Sequence, residues 1–182
     1  MLTTIPNLLT ILRVLLIPLV VVFFYLPIEN AAIISSLCFL LAGITDWLDG
    51  YLARKLQQTS KFGAFLDPVA DKLLVAVTLV LIVDKFSVLW VTIPAAIVIS
   101  REILISALRE WMAEVGSRAS VAVSQIGKFK TALQMAAIVV LLYAQSELSL
   151  AWLGIVLLWL ATLLTLWSMT LYLKAAKQDL LD

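Results

Sequence analysis

Residues 46–71, DWLDGYLARKLQQTSKFGAFLDPVAD, hold four aspartates in a chain that is 63% hydrophobic. Asp46 and Asp49 lie three positions apart, and Asp67 and Asp71 lie four apart. On helices, both spacings place the members of a pair on one face. The polar segment QQTSK between the pairs is short enough to be a turn. We therefore expect two neighbouring helices whose acidic faces point toward each other.

The composition of the chain is that of a membrane protein. Only 14% of its 182 residues are charged, and its mean hydropathy of +1.09 is far above that of soluble domains. The chain has no histidine, which excludes every mechanism that needs an imidazole. Its single cysteine, Cys38, excludes a disulfide framework and a thiolate metal cluster. The net charge of +1 gives no reason to expect a nucleic-acid partner.

Six apolar stretches are long enough to cross a bilayer as helices, which takes about 20 residues each. Short polar segments separate them, with no long linker and no clear repeat, so we expect a single membrane domain over residues 1–182. The predicted fold is an all-α integral membrane protein with six transmembrane helices in one bundle. The stretches are residues 7–26, 31–56, 61–84, 88–112, 121–145 and 148–173.

The basic residues predict how the bundle is oriented, because Lys and Arg concentrate on the cytoplasmic side of membrane proteins. Only Lys85 falls in a connection on the opposite side. We therefore expect both the N-terminus and the C-terminus in the cytoplasm. The basic residues on or toward the predicted cytoplasmic side are Arg13, Arg54, Lys55, Lys61, Lys72, Arg101, Arg109, Arg118, Lys128, Lys130, Lys174 and Lys177.

Five of the predicted helices carry ionisable residues at a common depth. Each of these residues lies about 13 to 15 positions from the outer end of its helix, roughly 20 Å at the helical rise, and so roughly 10 Å below the cytoplasmic surface. Charge inside a membrane is costly and usually functional, so we predict a functional layer. The sixth helix offers only Thr162 and Leu163 at this level. The layer consists of Arg13, Asp46, Asp71, Arg101 and Lys130.

Four ionised carboxylates cannot stay unpaired in a medium of low dielectric constant. Two divalent cations would balance them, and a ligand set of oxygens alone favours Mg²⁺ or Mn²⁺. Two metals about 4 Å apart commonly hold a phosphoryl group during its displacement. Gly50, Ala53 and Gly63 flank the acidic pairs and would let a bulky ligand approach the backbone. Two other interpretations stay open, a proton or cation pathway and a structural cluster of salt bridges.

The same residues resemble the signature of the CDP-alcohol phosphotransferase family, D-x2-D-G-x2-A-R-x8-G-x3-D-x3-D. The chain also resembles one bacterial branch of this family in PNLLTILR, AFLDPVADK, SREILISALREWMAE and VAVSQIGKFKT. The resemblance therefore covers nearly the whole chain. The signature positions, all at the required spacing, are Asp46, Asp49, Gly50, Ala53, Arg54, Gly63, Asp67 and Asp71.

The resemblance implies a transferase of phospholipid biosynthesis in the bacterial cytoplasmic membrane, with its active site facing the cytoplasm. Family members move a phosphatidyl or related group from a CDP-linked donor to an alcohol and release CMP. In this branch the donor is CDP-diacylglycerol, the acceptor is sn-glycerol 3-phosphate, and the product is phosphatidylglycerophosphate. The implied metal ligands are Asp46, Asp49, Asp67 and Asp71, with Asp71 also the general base.

Two groups of residues are expected to bind the substrates. By resemblance, Gly50, Arg54 and Ser60 contact the CDP part of the donor, while Asn7, Thr10 and Arg13 lie on one side of the first helix and are expected to close this pocket. The acceptor carries a phosphate and so needs a basic pocket, for which arginine is well suited. The candidates for the acceptor phosphate are Arg101, Arg109, Arg118, Lys128 and Lys130.

The sequence leaves several alternatives open. The donor motif does not specify the acceptor, which could instead be the glycerol head of another phospholipid, serine or an inositol phosphate. A cation-coupled transporter is a different class, and it would carry ions without releasing CMP. The apolar surface of the sixth helix, which includes Gly154 and Ala161, predicts either a homodimer contact or a face toward lipid.

Overall fold

The computed structural model describes residues 4–56, 60–114, 125–144 and 148–181. Within these ranges the chain forms six α-helices and no strand, in the predicted order. Residues 121–124 and residue 145 of the fifth predicted stretch lie outside the described residues. The helices are α1 (Ile5–Tyr25), α2 (Ala31–Leu56), α3 (Lys61–Phe86), α4 (Leu89–Glu114), α5 (Gln125–Tyr143) and α6 (Leu148–Leu181).

Local sequence signals set several of the helix ends. α1 follows Thr4, whose backbone is extended, and it carries Pro6 in its first turn, where a missing N–H is tolerated. α3 begins after Ser60, whose Oγ accepts a 2.9 Å hydrogen bond from the N–H of Gly63. The same helix ends at Ser87, which adopts the left-handed conformation and donates its N–H to the last turn. The two acidic helices are therefore separated by a connection that a capping serine terminates.

The core of the bundle receives side chains from all six described helices. α1 packs against α2 and α3, α5 packs against α6 and α2, and α4 packs against α6 and α3. This arrangement makes one bundle around a shared apolar interior. Fully buried members of that interior, one from each helix in chain order, are Val20, Phe39, Leu79, Val98, Ile138 and Leu158.

The surface of the bundle is as apolar as its core. Among the described helices, α1, α2, α4 and α6 are long and apolar enough to cross a membrane, and α5 has a shorter apolar part, Phe129–Tyr143. α3 has no 18-residue stretch with as few as two charges, because Asp67, Asp71 and Lys72 interrupt it. Trp47 and Leu89 are 70% and 71% exposed. Apolar exposure on this scale needs lipid around it, so the chain is an all-α membrane protein.

The small residues of α6 are used inside the chain. Gly154 and Ala161 are both buried, and a Cβ on Gly154 would lie 2.6 Å from Cγ of Leu141 in α5. These two residues therefore lie inside the bundle, so the predicted homodimer or lipid contact of α6, which stays a prediction, would be made by other side chains of this helix. The absence of a side chain at Gly154 allows α5 and α6 to pack closely at Leu141.

Candidate active site

Arg13 of α1 pairs with both carboxylates of α2. Its side chain is fully buried, and Nη1 lies 2.7 Å from Oδ1 of Asp46. Its Nη2 donates to Oδ2 of Asp49, which is also buried, whereas the side chain of Asp46 is 45% exposed. A buried charge that loses its partner is strongly destabilising. This pair of contacts therefore fixes α1 against the acidic face of α2.

Thr10, one turn before Arg13, connects α2 to α3. Its Oγ1 lies 2.5 Å from Oδ1 of Asp67 and 3.5 Å from Oδ2 of Asp49. A hydroxyl has only one hydrogen to donate, and the shorter distance indicates that Asp67 receives it. Carboxylates from the two acidic helices therefore meet at one hydroxyl, so α1 brings three of the four predicted aspartates together.

Asp71 lies one turn beyond Asp67 on α3, and it is exposed. Within the described residues its carboxylate has neither a hydrogen bond nor an ion pair, unlike the other three aspartates. Its side chain lines a cavity between helices. Asp71 is therefore the aspartate that is most available to a ligand.

The acidic cluster carries more negative charge than its protein surroundings balance. Asp46, Asp49 and Asp67 contribute three negative charges, and Arg13 supplies one positive charge among them. In the conformation described, no three acidic or cysteine side chains within the described ranges are close enough to hold a metal ion together. The donor set is nevertheless all oxygen with excess negative charge, which fits a hard divalent cation. The two-metal site remains a prediction supported by chemistry and charge.

The first turns of α1 and α3 meet beside the acidic cluster. Oγ of Ser60 lies 2.8 Å from Oδ1 of Asn7 and also accepts from the N–H of Gly63. A Cβ on Gly63 would lie 2.8 Å from Oδ1 of Asn7, so a larger residue would displace the Asn7 side chain and disturb its contact with Ser60. The structure thus brings together three residues that were predicted to bind the donor.

The other residues predicted to bind the donor lie on α2. Gly50 and Ala53 are half-buried and follow Asp46 and Asp49 along the helix. Arg54 belongs to α2, but its side chain lies outside what the structure describes. The part of α2 that carries the family signature is therefore continuous with the acidic cluster.

A cavity of about 310 Å³ opens beside Asp71, with walls from α3, α4, α5 and α6. This volume is in the range of small-ligand sites. Four basic and two acidic side chains line it, which leaves a formal excess of two positive charges. This excess equals the charge of a fully ionised phosphomonoester. The charged lining residues are Asp71, Lys72, Arg101, Glu102, Arg109 and Lys130.

Glu102 holds two of these cations side by side. Nη1 of Arg101 and Nζ of Lys130 each lie 2.8 Å from its Oε1. Nη2 of Arg101 donates to Oγ of Ser168 on α6 at 2.9 Å. The Nε of Arg101 is buried without a hydrogen-bond partner among the described residues. The guanidinium is therefore fixed from two sides and keeps a spare donor.

Tyr172 of α6 lies between two arginines of the cavity. Its hydroxyl is 2.5 Å from Nη2 of Arg109, and its ring centroid is 4.9 Å from Cζ of Arg109 and 5.9 Å from Cζ of Arg101. An aromatic face attracts a cation at such distances. Tyr172 therefore steadies the exposed Arg109 at the mouth of the cavity.

The sixth helix contributes more side chains to the site than was predicted from the common depth of the ionisable residues. Thr162 bonds to its own helix and Leu163 is 57% exposed, whereas Ser168 and Tyr172 contact the arginines. The prediction that α6 offers only Thr162 and Leu163 concerned a single depth along the helix. Ser168 and Tyr172 lie further along α6, where the side chains of Arg101 and Arg109 reach them.

Of the five residues predicted to bind the acceptor phosphate, the structure brings three to the cavity. Arg118 lies outside the described residues, and so does the side chain of Lys128. Sequence reasoning missed several polar residues that line the same space. The signal that could have identified them is the presence of polar side chains in otherwise apolar helices, near the level of Lys130. The missed residues are Lys72, Glu102, Gln134, Ser168 and Tyr172.

An acidic helix pair beside a cationic cavity, inside a helical membrane protein, has the charges that chemistry on phosphate groups requires. The model of the CDP-alcohol phosphatidyltransferase family matches residues 3–167, and the chain belongs to this family. The family predicted from the signature between Asp46 and Asp71 is therefore confirmed.

Similar proteins from three bacteria all carry the name CDP-diacylglycerol–glycerol-3-phosphate 3-phosphatidyltransferase. The Haemophilus influenzae protein is 58% identical over 179 residues, which cover 98% of this chain and 96% of the relative. The Salmonella typhimurium protein is 57% identical, and the Shigella flexneri protein is 55% identical, each over 98% of this chain and 97% of the relative. The similarity thus extends over the acidic cluster and the cationic cavity alike.

Proposed function

We propose that this protein transfers the phosphatidyl group of CDP-diacylglycerol to sn-glycerol 3-phosphate, giving phosphatidylglycerophosphate and CMP. The names of its relatives support both substrates. The observation that carries the proposal is that Asp71 lines the same cavity as four basic side chains, which give the cavity a formal excess of two positive charges. Such a cavity suits an acceptor that has a phosphate at one end and a reactive hydroxyl at the other.

Asp71 is assigned as the general base. It accepts the proton of the acceptor hydroxyl while the hydroxyl oxygen forms a bond to the phosphatidyl phosphorus. The bond from this phosphorus to the bridging oxygen breaks, and CMP leaves with the electron pair. The exposed carboxylate lines the cavity without a partner among the described residues, so it is available for hydrogen bonding to the hydroxyl.

Two divalent cations, Mg²⁺ or Mn²⁺, would be held by Asp46, Asp49, Asp67 and Asp71. When bound, they would offset the charge of the donor diphosphate and stabilise CMP as it leaves. The oxygen donors and the excess negative charge around Arg13 support this assignment. Arg13 keeps Asp46 and Asp49 directed to the same side of α2, and Thr10 does the same for Asp67.

The phosphate of the acceptor is assigned to the cationic side of the cavity. Arg101 is fixed by Glu102 and Ser168 and offers its free Nε–H to a phosphate oxygen. Lys130 lies beside it on the same Glu102 oxygen. Arg109 is exposed at the entrance, where it can first attract the anion. Charge-assisted contacts of this kind are among the strongest hydrogen bonds in proteins.

The donor is assigned to the acidic cluster, which is formed by side chains of α1, α2 and α3. We further propose a single domain with six membrane-spanning helices, both termini in the cytoplasm and the site facing the cytoplasm of a bacterial inner membrane. The distribution of basic residues and the bacterial relatives support this orientation. The donor-binding residues are assigned as Asn7, Thr10, Arg13, Gly50, Ala53, Arg54, Ser60 and Gly63.

The function is tested by measuring CMP release from CDP-diacylglycerol by the purified protein in lipid vesicles. The acceptor panel contains sn-glycerol 3-phosphate, glycerol, serine, an inositol phosphate and phosphatidylglycerol, each with Mg²⁺, with Mn²⁺ or with a chelator. We expect CMP only with sn-glycerol 3-phosphate and a divalent cation. Glycerol is the matched control, because it keeps the hydroxyls and lacks the phosphate.

Two results would contradict the proposal in different ways. Faster CMP release with serine or another alcohol would keep the chemistry and change the acceptor. Ion flux through the vesicles with no CMP from any acceptor would identify a transporter instead.

A further inference from the structure

Gln134 of α5 is a buried polar residue to which the proposed mechanism assigns no task. It lines the cavity together with Asp71 and Arg101, and only 5% of its surface is exposed. Its carbonyl oxygen Oε1 is buried and has no hydrogen-bond partner among the described residues. A buried acceptor without a partner is costly, so this oxygen points to a contact with a ligand.

The chemistry of the missing partner follows from what surrounds Gln134. Lys130, one turn earlier on α5, already donates to Glu102. A fully ionised phosphate carries no hydrogen and cannot satisfy a carbonyl oxygen. The complementary group is therefore a hydroxyl of the ligand. One cavity then holds a spare donor, Nε of Arg101, for the phosphate and a spare acceptor, Oε1 of Gln134, for a hydroxyl.

We propose that Gln134 is a specificity-determining residue whose Oε1 accepts a hydrogen bond from the non-reacting hydroxyl of the acceptor. This inference rests on the proposed function. Of the two hydroxyls of glycerol 3-phosphate, the terminal one attacks beside Asp71, and the central one is left to meet Gln134. A site built to bond a hydroxyl rejects an analogue that lacks it, because the analogue leaves the buried oxygen unsatisfied.

The test compares kcat/KM for two acceptors, sn-glycerol 3-phosphate and 3-hydroxypropyl phosphate, which lacks only the central hydroxyl. We expect the unmodified protein to prefer glycerol 3-phosphate. In Gln134→Met, which keeps the length of the side chain and removes the carbonyl, we expect the ratio of the two kcat/KM values to fall by about 10- to 100-fold. We expect this change to come from a lower kcat/KM for sn-glycerol 3-phosphate, the acceptor that has the central hydroxyl.

Thr131→Val is the matched control. Thr131 lines the same cavity three positions earlier on α5, but its hydroxyl is already 3.0 Å from the carbonyl oxygen of Gly127. Its replacement is expected to preserve the ratio. Gln134→Glu keeps an acceptor oxygen and is expected to retain much of the preference for glycerol 3-phosphate.

The outcomes separate the inference from the function on which it rests. An unchanged ratio in Gln134→Met, or equal losses with both acceptors, would overturn the role of Gln134. If Gln134→Met has no activity with either acceptor, the ratio in Gln134→Glu decides, and a collapsed ratio there also overturns the role. An unmodified protein that releases no CMP with either acceptor would instead refute the proposed function.

Discussion

Arg13 and Thr10 of α1 organise aspartates that lie on two other helices. The spacing of Asp46 and Asp49 could be interpreted from the sequence, because three positions on a helix always share a face. The contacts from Arg13 to this pair and from Thr10 to Asp67 could not, because they depend on how α1 is rotated against α2 and α3. Gln134 was missed for the same reason, since its burial beside the cavity follows from helix packing.

The pairing of Arg13 with Asp49 leads to a prediction on stability. Replacement by Arg13→Gln leaves the buried carboxylate of Asp49 without its cation, and we expect a loss of about 3–5 kcal/mol in the free energy of unfolding. Thermal unfolding in detergent measures the effect. The double variant Arg13→Gln/Asp49→Asn removes both charges and is expected to recover part of the loss. A double variant as unstable as the sum of both single variants would argue against the pairing.

The role of Asp71 leads to a prediction on turnover. We expect Asp71→Asn to lower kcat for CMP release by about 10²- to 10⁴-fold, because the amide cannot accept the proton, while CDP-diacylglycerol binding is largely kept. Asp84→Asn, near the other end of α3, is the control and is expected to leave turnover near that of the unmodified protein. The side chain of Asp84 accepts a 2.8 Å hydrogen bond from the hydroxyl of Tyr25, away from the cavity. Normal turnover in Asp71→Asn would remove its assignment as the base.

Helix ends and helix packing differ in how far the sequence determines them. The predicted bounds 31–56 match α2 in full, since a cluster of polar residues marks each end. The contribution of α6 to the cavity was not predicted. Ser168 and Tyr172 lie further along the helix than Thr162 and Leu163, the residues at the predicted depth of the ionisable layer. The start of α3 could be recognised by Ser60, but its contact with Asn7 required the packed bundle.

The contact between the starts of α1 and α3 leads to a prediction on Gly63. A Cβ at Gly63 would lie 2.8 Å from Oδ1 of Asn7 and 3.2 Å from Oγ of Ser60. We expect Gly63→Ala to lower the thermal unfolding temperature and to raise the KM for CDP-diacylglycerol several-fold. Gly127→Ala is the matched control, because a Cβ there meets nothing within 4 Å. Its unfolding temperature should not fall, since alanine favours a helix over glycine. Equal effects of both substitutions would contradict this explanation.

The whole molecule is the scale at which the sequence was most informative. Apolar stretches of membrane length predicted all six helices, and the aspartate signature predicted the family. The number of helices that cross the membrane is less evident from composition, because α3 carries Asp67, Asp71 and Lys72 within its length. These charges are tolerated where they face α1 or the cavity, and periodicity alone does not reveal that environment.

The orientation of the molecule is tested by labelling single cysteines with a membrane-impermeant maleimide. Cys38 is first replaced by serine, and a cysteine is then placed at Glu29, between α1 and α2, or at Lys55, near the end of α2; both residues are exposed. In intact cells without their outer membrane we expect labelling at Glu29→Cys only. In inside-out vesicles we expect labelling at Lys55→Cys only. The reverse pattern would invert the proposed topology.

The ion pairs of Arg13 give the acidic helices a counter-charge that belongs to the chain itself. Asp46 and Asp49 therefore have a positive partner within the chain itself, and a chelator is expected to abolish CMP release while lowering the unfolding temperature only slightly. Re-addition of Mg²⁺ should restore activity without refolding, and extensive unfolding on chelation would contradict this. A cell starved of magnesium would then keep a folded but inactive protein in its membrane. Restored magnesium supply would raise the rate of anionic lipid synthesis quickly and reversibly, without synthesis of new protein.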